Sequence, residues 1–207
     1  MLENRVAIIM KDLKVPHNLT DITEARRVLD LESKALIVLS DSLSKDFGEK
    51  FSSAVQALVD TKDRVIITGM GKSGHVGNKI VSTLASTGTP STFVHPAEAS
   101  HGDLGMITKN DVVLALSNSG ETSELSDILA YTKRHGITLI GMTSNAGSTL
   151  ATTADIPLVL PKMEEACPLG LAPTTSTTMM MALGDALATA VLSRRGFSAN
   201  DFGSLHP

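Results

Sequence analysis

From residue 64 onward the chain alternates short apolar runs with segments of helical spacing. Runs of β-branched and aliphatic residues predict strands at 65–68, 91–94, 112–116, 137–143 and 156–160. Helical spacing predicts a helix over 121–135, and the polar stretch at 95–105 is expected to be a loop. A long helix rich in methionine and alanine, with a hydroxyl-rich start at 174–178, is expected over 176–195, followed by a tail over 196–207. Apolar strands separated by helices are typical of a parallel sheet covered on both faces. The sequence therefore predicts a three-layer, doubly wound α/β/α fold with a five-stranded parallel sheet in the flavodoxin-like order 2-1-3-4-5.

Two loops rich in glycine and serine follow the first and third predicted strands. They read Gly69-Met-Gly-Lys-Ser-Gly74 and Ser117-Asn-Ser-Gly-Glu-Thr-Ser-Glu124. In the predicted strand order these loops are neighbours at the switch point, where such sheets bind ligands. A loop that opens a helix aims N–H groups and a positive dipole end at an anion. The pair predicts a phosphate pocket, with these candidate contacts: Gly71, Ser73, Ser117, Ser119 and Thr122.

Each of these features has another interpretation. Serine and threonine cap helices routinely, which alone could account for the hydroxyls. The spacing Gly69-x-Gly71-x-x-Gly74 matches the dinucleotide fingerprint, but the second strand ends in His95-Pro96 without the acidic residue that a ribose needs. Ile66 stands where a nucleotide hydrolase loop needs its first glycine. Phosphate binding remains the interpretation that uses both loops.

Residues suited to proton transfer lie near the same edge of the sheet. Lys72 is in the first loop, where its ammonium could reach a phosphate or a developing oxyanion, or simply be a surface lysine. Glu164 and Glu165 follow the fifth strand, where a carboxylate could remove a proton next to a carbonyl. A pair of acids in a loop is also commonly just solvated. The residue types alone do not choose between the two.

The histidines suggest no metal site. The spacing of His75, His95, His101 and His206 matches no zinc pattern, and Cys167 is the only cysteine. His101, in Ser-His-Gly-Asp, could lie near the pocket or be a hydrogen-bonded structural residue. The residue pattern therefore predicts no metal site.

Composition narrows the class of protein. A length of 207 residues suits one domain, predicted here as an N-terminal arm over 1–20 and a domain over 21–207 that opens with helices at 21–43 and 47–59. The net charge of −4, with no basic block and few aromatic residues, argues against nucleic-acid binding. A single cysteine, no signal peptide and no apolar run long enough to span a membrane indicate a cytoplasmic protein.

The longer motifs resemble the sugar isomerase (SIS) domain of the arabinose-5-phosphate isomerase family, from about residue 25 to the C-terminus. Besides the two loops, the resemblance rests on Ala85-Ser-Thr-Gly-Thr-Pro90, His95-Pro-Ala-Glu-Ala-Ser-His-Gly-Asp-Leu-Gly105, Glu165-Ala-Cys-Pro-Leu-Gly-Leu-Ala-Pro-Thr174 and Gly184-Asp-Ala-Leu187. It implies an isomerase that interconverts D-ribulose 5-phosphate and D-arabinose 5-phosphate for synthesis of the eight-carbon acid sugar Kdo of lipopolysaccharide or capsule. It also implies a homotetramer and no cofactor.

The resemblance assigns roles that the residues alone leave open. Ser73, Ser117, Ser119 and Thr122 match phosphate contacts of the wider SIS fold. Lys72, Glu124, Glu165 and His206 match positions that the family treats as catalytic. By analogy with a related isomerase domain, Glu165 is the base, and His206, supplied by a neighbouring subunit, opens the sugar ring.

One departure and two competing functions accompany the resemblance. Family members usually continue past the His206-Pro207 pair into a Gly-Gly segment and often a pair of CBS domains. The resemblance therefore leaves two alternatives, a member with the SIS domain alone or a piece of a longer protein with a C-terminal CBS pair. A non-catalytic SIS domain that senses a sugar phosphate or nucleotide sugar is one competitor. An isomerase of another phosphosugar is the second, and the loop at 165–174 counts against it.

Overall fold

The computed structural model describes residues 17–205, with side chains from residue 20 onward. Two helices come first, α1 (His17–Ser42) and α2 (Asp46–Asp60). The following elements are β1 (Val65–Gly69), α3 (Lys72–Ser86), β2 (Ser91–Phe93), α4 (Pro96–Ala99), a 3₁₀ turn (Asp103–Met106), β3 (Val112–Leu116), a second 3₁₀ turn (Ser123–Leu125), α5 (Ser126–His135), β4 (Thr138–Thr143), α6 (Thr149–Thr153), β5 (Ile156–Val159), α7 (Thr175–Arg195) and α8 (Ala199–Leu205).

The five strands form one parallel sheet in the order β2-β1-β3-β4-β5, so the predicted topology is confirmed. Strands β1 and β3 are direct neighbours, and the last residue of β1, Gly69, pairs with the last residue of β3, Leu116. Because both strands end at the same level, the two Gly/Ser loops leave the sheet side by side. We call residues 69–74 the β1 loop and residues 117–124 the β3 loop.

Helices cover both faces of the sheet, as expected for strands that are apolar throughout. Ile67 and Leu114 point to the face covered by α1, α2, α3 and α7, whereas Ile66 and Val113 point to the face covered by α4, α5 and α6. All four side chains are fully buried. Since burying one such side chain contributes roughly 1.5–3 kcal/mol, the two apolar layers supply most of the driving force for folding. This rigid sheet fixes the strand ends from which the candidate site is built.

Several predicted boundaries are wrong in instructive ways. Helix α1 begins at His17, within the expected arm and four residues before the predicted start at Asp21. Helix α5 begins at Ser126, not at Glu121, because the intervening residues form a loop and a 3₁₀ turn. The polar stretch at 95–105 contains helix α4 and a 3₁₀ turn, and the expected tail contains helix α8. The remainder of the arm lies outside the described residues.

Within residues 17–205 no helix combines the length and the apolar composition that crossing a membrane requires.

Candidate functional site

A cleft of about 720 Å³ lies at the carboxyl edge of the sheet. Segments that follow β3, β4 and β5 line it, together with the start of α7. The residues that matter below are Asn118, Ser119, Glu121, Ser144, Asn145, Lys162, Glu164, Glu165 and Ser176. Of the residues predicted from sequence, the cleft brings Ser119 and Glu165 together.

The β3 loop is held in shape by its own hydroxyl groups. The Oγ atoms of Ser117 and Thr122 are 2.7 Å apart and share a hydrogen bond, and the N–H of Gly120 donates to Ser117 Oγ at 3.0 Å. Ser117 is buried, whereas Ser119 is exposed and lines the cleft. Gly120 has φ +71°, and a Cβ there would lie 2.0 Å from Ser148 Oγ, so no other residue fits. Ser117 and Thr122 therefore shape the loop, and Ser119 is the hydroxyl that it presents.

The β1 loop approaches the sheet too closely for a side chain at Gly74. A Cβ on Gly74 would lie 2.7 Å from the carbonyl oxygen of Gly69, so this glycine allows α3 to start directly against the end of β1. Gly71 is the residue before α3 and is exposed, with φ +57°. Ser73 is half-buried, and its hydroxyl makes no hydrogen bond within residues 20–205. The first turn of α3 thus leaves N–H groups and one hydroxyl available to a ligand.

Glu165 is held by the first turn of α7. Its Oε2 accepts hydrogen bonds from the N–H of Thr174 at 2.7 Å, the hydroxyl of Thr174 at 3.1 Å and the N–H of Ser176 at 3.3 Å. Burial opposes ionisation of this carboxyl, but the hydrogen bonds from Ser176 and Thr174 outweigh it and lower its pKa. The carboxylate is therefore ionised at neutral pH. All three bonds go to Oε2, so within residues 20–205 Oε1 is the oxygen left available for a proton.

The two adjacent acids differ in their surroundings. Glu164 is exposed, whereas Glu165 is half-buried and fixed by the helix start. Proton transfer to or from a substrate needs a carboxylate in a defined position. Geometry thus favours Glu165 over Glu164 as a base, a choice that the residue types had left open.

Lys72 and Glu124 lie away from this arrangement. Lys72 is exposed and lines a smaller cavity of about 230 Å³ with Thr177 and Met181. Ser176 lines the large cleft and Thr177 the small one, so the two cavities lie beside the same turn of α7. Glu124 is exposed, accepts a hydrogen bond from the Ser123 hydroxyl at 2.9 Å, and within residues 20–205 forms no ion pair with Lys72. No contact within residues 20–205 therefore indicates that Glu124 serves only to hold Lys72 in place.

The histidines contribute little to the described cleft. His101 is exposed and is absent from the residues that line the cleft. His206 lies outside the described residues. No group of three or more potential metal ligands occurs between residues 20 and 205.

The charge balance of the cleft limits how an anion could be held there. Among residues 20–205, Glu121, Glu164 and Glu165 line it together with one cation, Lys162. With three carboxylates to one ammonium, an anion must be bound by oriented N–H groups and hydroxyls rather than by a basic cluster. At this cleft the β3 loop offers such donors, whereas the predicted contacts Gly71 and Ser73 of the β1 loop are not among the residues that line it.

Sequence reasoning missed several residues of this cleft. Ser144 and Asn145 directly follow β4, so their place at the carboxyl edge could have been read from the strand order. Thr174 and Ser176 appeared only as a hydroxyl-rich helix start, although they hold Glu165. The run of hydroxyls just after an acidic loop was the available signal.

Fold and cleft together define a doubly wound α/β domain with a cleft at the carboxyl ends of β3, β4 and β5. The sequence model of the SIS domain matches residues 57–190. The chain belongs to the SIS domain family.

Two curated proteins are similar to this chain over most of its length. An arabinose 5-phosphate isomerase, KdsD, of Pseudomonas aeruginosa is 56% identical over 195 residues, covering 94% of this chain and 59% of the relative. The KdsD of Yersinia pestis is 52% identical over 182 residues, covering 88% of this chain and 54% of the relative. The chain thus spans little more than half the length of these curated relatives.

A solved structure supplies a match over almost the full length of both chains. It is a protein of Escherichia coli CFT073 in complex with arabinose 5-phosphate, with a TM-score of 0.85 and 40% identity. The match covers 92% of this chain and 99% of that one.

Proposed function

We propose that the chain catalyses the interconversion of D-ribulose 5-phosphate and D-arabinose 5-phosphate. The observation that carries the proposal is the pair of groups that share the cleft: the fixed, ionised carboxylate of Glu165 and the exposed hydroxyl of Ser119. The high identity to arabinose 5-phosphate isomerases of two organisms supports the choice of reaction. The similarity to a structure in complex with arabinose 5-phosphate supports the choice of ligand.

The phosphate group would be held by the β1 and β3 loops. Gly71 and Ser73 offer N–H and hydroxyl donors at the start of α3, and Ser119 offers the hydroxyl of the β3 loop. Ser117 and Thr122 support that loop from behind through their shared hydrogen bond. Anchoring the phosphate makes the later proton transfer effectively intramolecular.

Glu165 would move the proton. Starting from ribulose 5-phosphate, its carboxylate removes a proton from C1, and the electron pair forms the C1–C2 double bond of a cis-enediolate. The same carboxyl returns the proton to C2, while the oxygen at C2 gains a proton and the oxygen at C1 loses its hydroxyl proton and becomes the aldehyde carbonyl. No oxidant or reductant is consumed, because the two carbons exchange oxidation levels within one molecule. The unbonded Oε1 of Glu165 suits this role.

The remaining assignments follow the family resemblance. Lys72 or the loop N–H groups would stabilise the oxyanion of the enediolate. His206, supplied by a neighbouring subunit of a homotetramer, would open the cyclic form of arabinose 5-phosphate, whereas ribulose 5-phosphate is already open. Glu124 would act as a second acid or base, and His101 would lie near the substrate. We further propose a cytoplasmic location, no cofactor, and a product that feeds Kdo synthesis.

The test offers D-ribulose 5-phosphate to the purified chain and follows D-arabinose 5-phosphate by NMR. We expect the two sugars to reach the same equilibrium from either side. Unphosphorylated ribulose is the matched control and should be converted far more slowly, because it lacks the group that the loops bind.

Two results would reject the proposal. Binding of arabinose 5-phosphate without conversion, measured by calorimetry, would favour the sensing role. Faster conversion of a different phosphosugar would show that ribulose 5-phosphate is not the preferred substrate, although the proton transfer by Glu165 would still be supported.

A further inference from the structure

Glu121 joins the β3 loop to the start of helix α6. Its Oε1 accepts a hydrogen bond from the N–H of Thr149, and its Oε2 accepts one from the Thr149 hydroxyl, both at 2.8 Å. Both carboxylate oxygens are therefore used by Thr149, the first residue of α6. Hydrogen bonds to an ionised group are roughly twice as strong as neutral ones, so this contact is a strong link between the two loops.

Backbone contacts on either side strengthen this link. The N–H of Leu150 donates to the carbonyl of Gly120 at 3.0 Å, and the N–H of Ser144 donates to the carbonyl of Asn118 at 3.0 Å. The residue between these two carbonyls is Ser119. The position of Ser119 is therefore set from both sides by the segment that follows β4.

Glu121 also contacts Ser119 directly through its backbone. Its N–H donates to Ser119 Oγ at 3.2 Å, which orients the hydroxyl that lines the cleft. A movement of Glu121 would thus move the hydroxyl of Ser119.

The Glu121 carboxylate lies in a cleft proposed to bind an anion, where a negative charge is unfavourable unless it has a structural role. Glu121 is exposed and lines the cleft, where its charge repels a phosphate dianion. The side-chain and backbone hydrogen bonds from Thr149 lower the pKa of Glu121, so it keeps its charge at neutral pH. Both oxygens face Thr149, which directs that charge toward the N-terminus of α6.

We propose that Glu121 is a positioning residue, which grips Thr149 and thereby holds Ser119 where the phosphate group of the substrate binds. The proposal rests on the proposed function, because it takes a phosphosugar as the ligand of the cleft. Glu121 itself contacts no reacting atom in this account. Its loss weakens binding of the phosphorylated ligand and leaves the proton-transfer step nearly unchanged.

The experiment measures the dissociation constant of D-arabinose 5-phosphate by calorimetry, together with kcat and KM, for four proteins. These are the wild type, Glu121→Gln, Thr149→Val and the double variant. Each single variant should raise the dissociation constant and KM about tenfold, as expected for a weakened hydrogen bond to a charged group. Their kcat values should stay within about twofold of the wild type, since ligand binding rather than chemistry is affected. The double variant should have a dissociation constant no higher than that of the single variant that binds more weakly, because both changes break the same link.

Two controls separate positioning from a general loss of stability. Thr149→Ser keeps both donors and should bind like the wild type. The carboxylate of Asp111 accepts hydrogen bonds from the N–H groups of Arg64 and Thr108 at the opposite edge of the sheet. Asp111→Asn should therefore destabilise the fold without changing the dissociation constant.

Each outcome decides one claim. Unchanged binding in Glu121→Gln, or a fall in kcat with unchanged KM, would overturn the positioning role even if the wild type is an active isomerase. A wild type that binds the sugar without converting it would reject the proposed reaction, and the dissociation constants alone would then decide the role of Glu121. A wild type that does not bind the phosphosugar would overturn both.

Discussion

The backbone N–H of Thr174 donates a hydrogen bond of 2.7 Å to Oε2 of Glu165. The bond joins the loop after β5 to the first turn of α7, and it fixes a carboxylate at the edge of the sheet where ligands of this fold bind. An N–H group at a helix start also favours the charged form of the acid. One contact thus sets both the position and the ionisation of the proposed base.

The pKa of Glu165 should lie below its usual value of 4.5, and removing a donor should raise it. In Thr174→Val the hydroxyl that donates at 3.1 Å is lost, which disfavours the charged form. NMR titration of the ¹³C-labelled carboxyl group measures the midpoint in each protein. Thr174→Ser is the matched control and should titrate like the wild type. A wild-type midpoint above 4.5, or identical midpoints in the wild type and Thr174→Val, would contradict this account of the hydrogen bonds.

The same shift makes a signed contribution to stability. Because the pKa of Glu165 is lower in the folded state than in the unfolded chain, its ionisation stabilises the fold above pH 4.5. The contribution is lost as the pH falls through the folded value. Unfolding by urea at several pH values should therefore show the wild type losing its advantage over Glu165→Gln in acid. An advantage that grows in acid would mean the opposite sign.

Ser119→Ala should weaken binding of arabinose 5-phosphate and leave folding intact. The Ser119 side chain is exposed at the cleft, and a hydrogen bond to a charged group contributes about 1.5–3 kcal/mol, or roughly ten- to a hundredfold in the dissociation constant. Calorimetry measures the effect. The control is Ser53→Ala, which removes an exposed hydroxyl that donates to the carbonyl of Glu49 on α2. Equal affinities in the two variants would remove Ser119 from the phosphate site.

Gly74→Ala should destabilise the domain and disturb the β1 loop. The added methyl would lie 2.7 Å from the carbonyl oxygen of Gly69, so α3 must move away from the end of β1. Overpacking of this kind costs about 1–3 kcal/mol, measured as the free energy of unfolding in urea. Gly105→Ala is the matched control, since its methyl would meet no atom within 4 Å. If both variants unfold alike, the close approach at Gly74 is not a constraint.

The sequence was sufficient to predict the sheet and the loops that leave it. Apolar strands alternating with helices have few ways to pack, and with the order 2-1-3-4-5 the β1 and β3 loops must be neighbours. Ser119 and Glu165 could be expected at one edge for the same reason. These predictions depend only on which strand each residue follows, a property that the linear pattern carries.

Features set by contacts between distant segments could not be predicted in this way. The link from Glu121 to Thr149 spans 28 positions and depends on the packing of two loops. Glu121 was expected to begin a helix, but its carboxylate accepts hydrogen bonds from Thr149 at the start of α6, and α5 begins five residues later at Ser126. The choice of Glu165 over Glu164 likewise depends on where α7 begins. Residue type and spacing hold no information on such contacts.

The most direct test of the central claim is the turnover of ribulose 5-phosphate by Glu165→Gln, with Glu164→Gln as the matched comparison. Glutamine keeps the size of the side chain and a hydrogen-bond acceptor for Thr174, but it cannot accept the proton from C1. General base catalysis contributes roughly 10²–10⁴ in rate, so kcat should fall by at least a hundredfold in Glu165→Gln while the dissociation constant for arabinose 5-phosphate changes little. Glu164→Gln should stay within about threefold of the wild type, as is usual for exposed side chains. Near-normal turnover in Glu165→Gln, or a greater loss in Glu164→Gln, would contradict the assignment of Glu165 as the base.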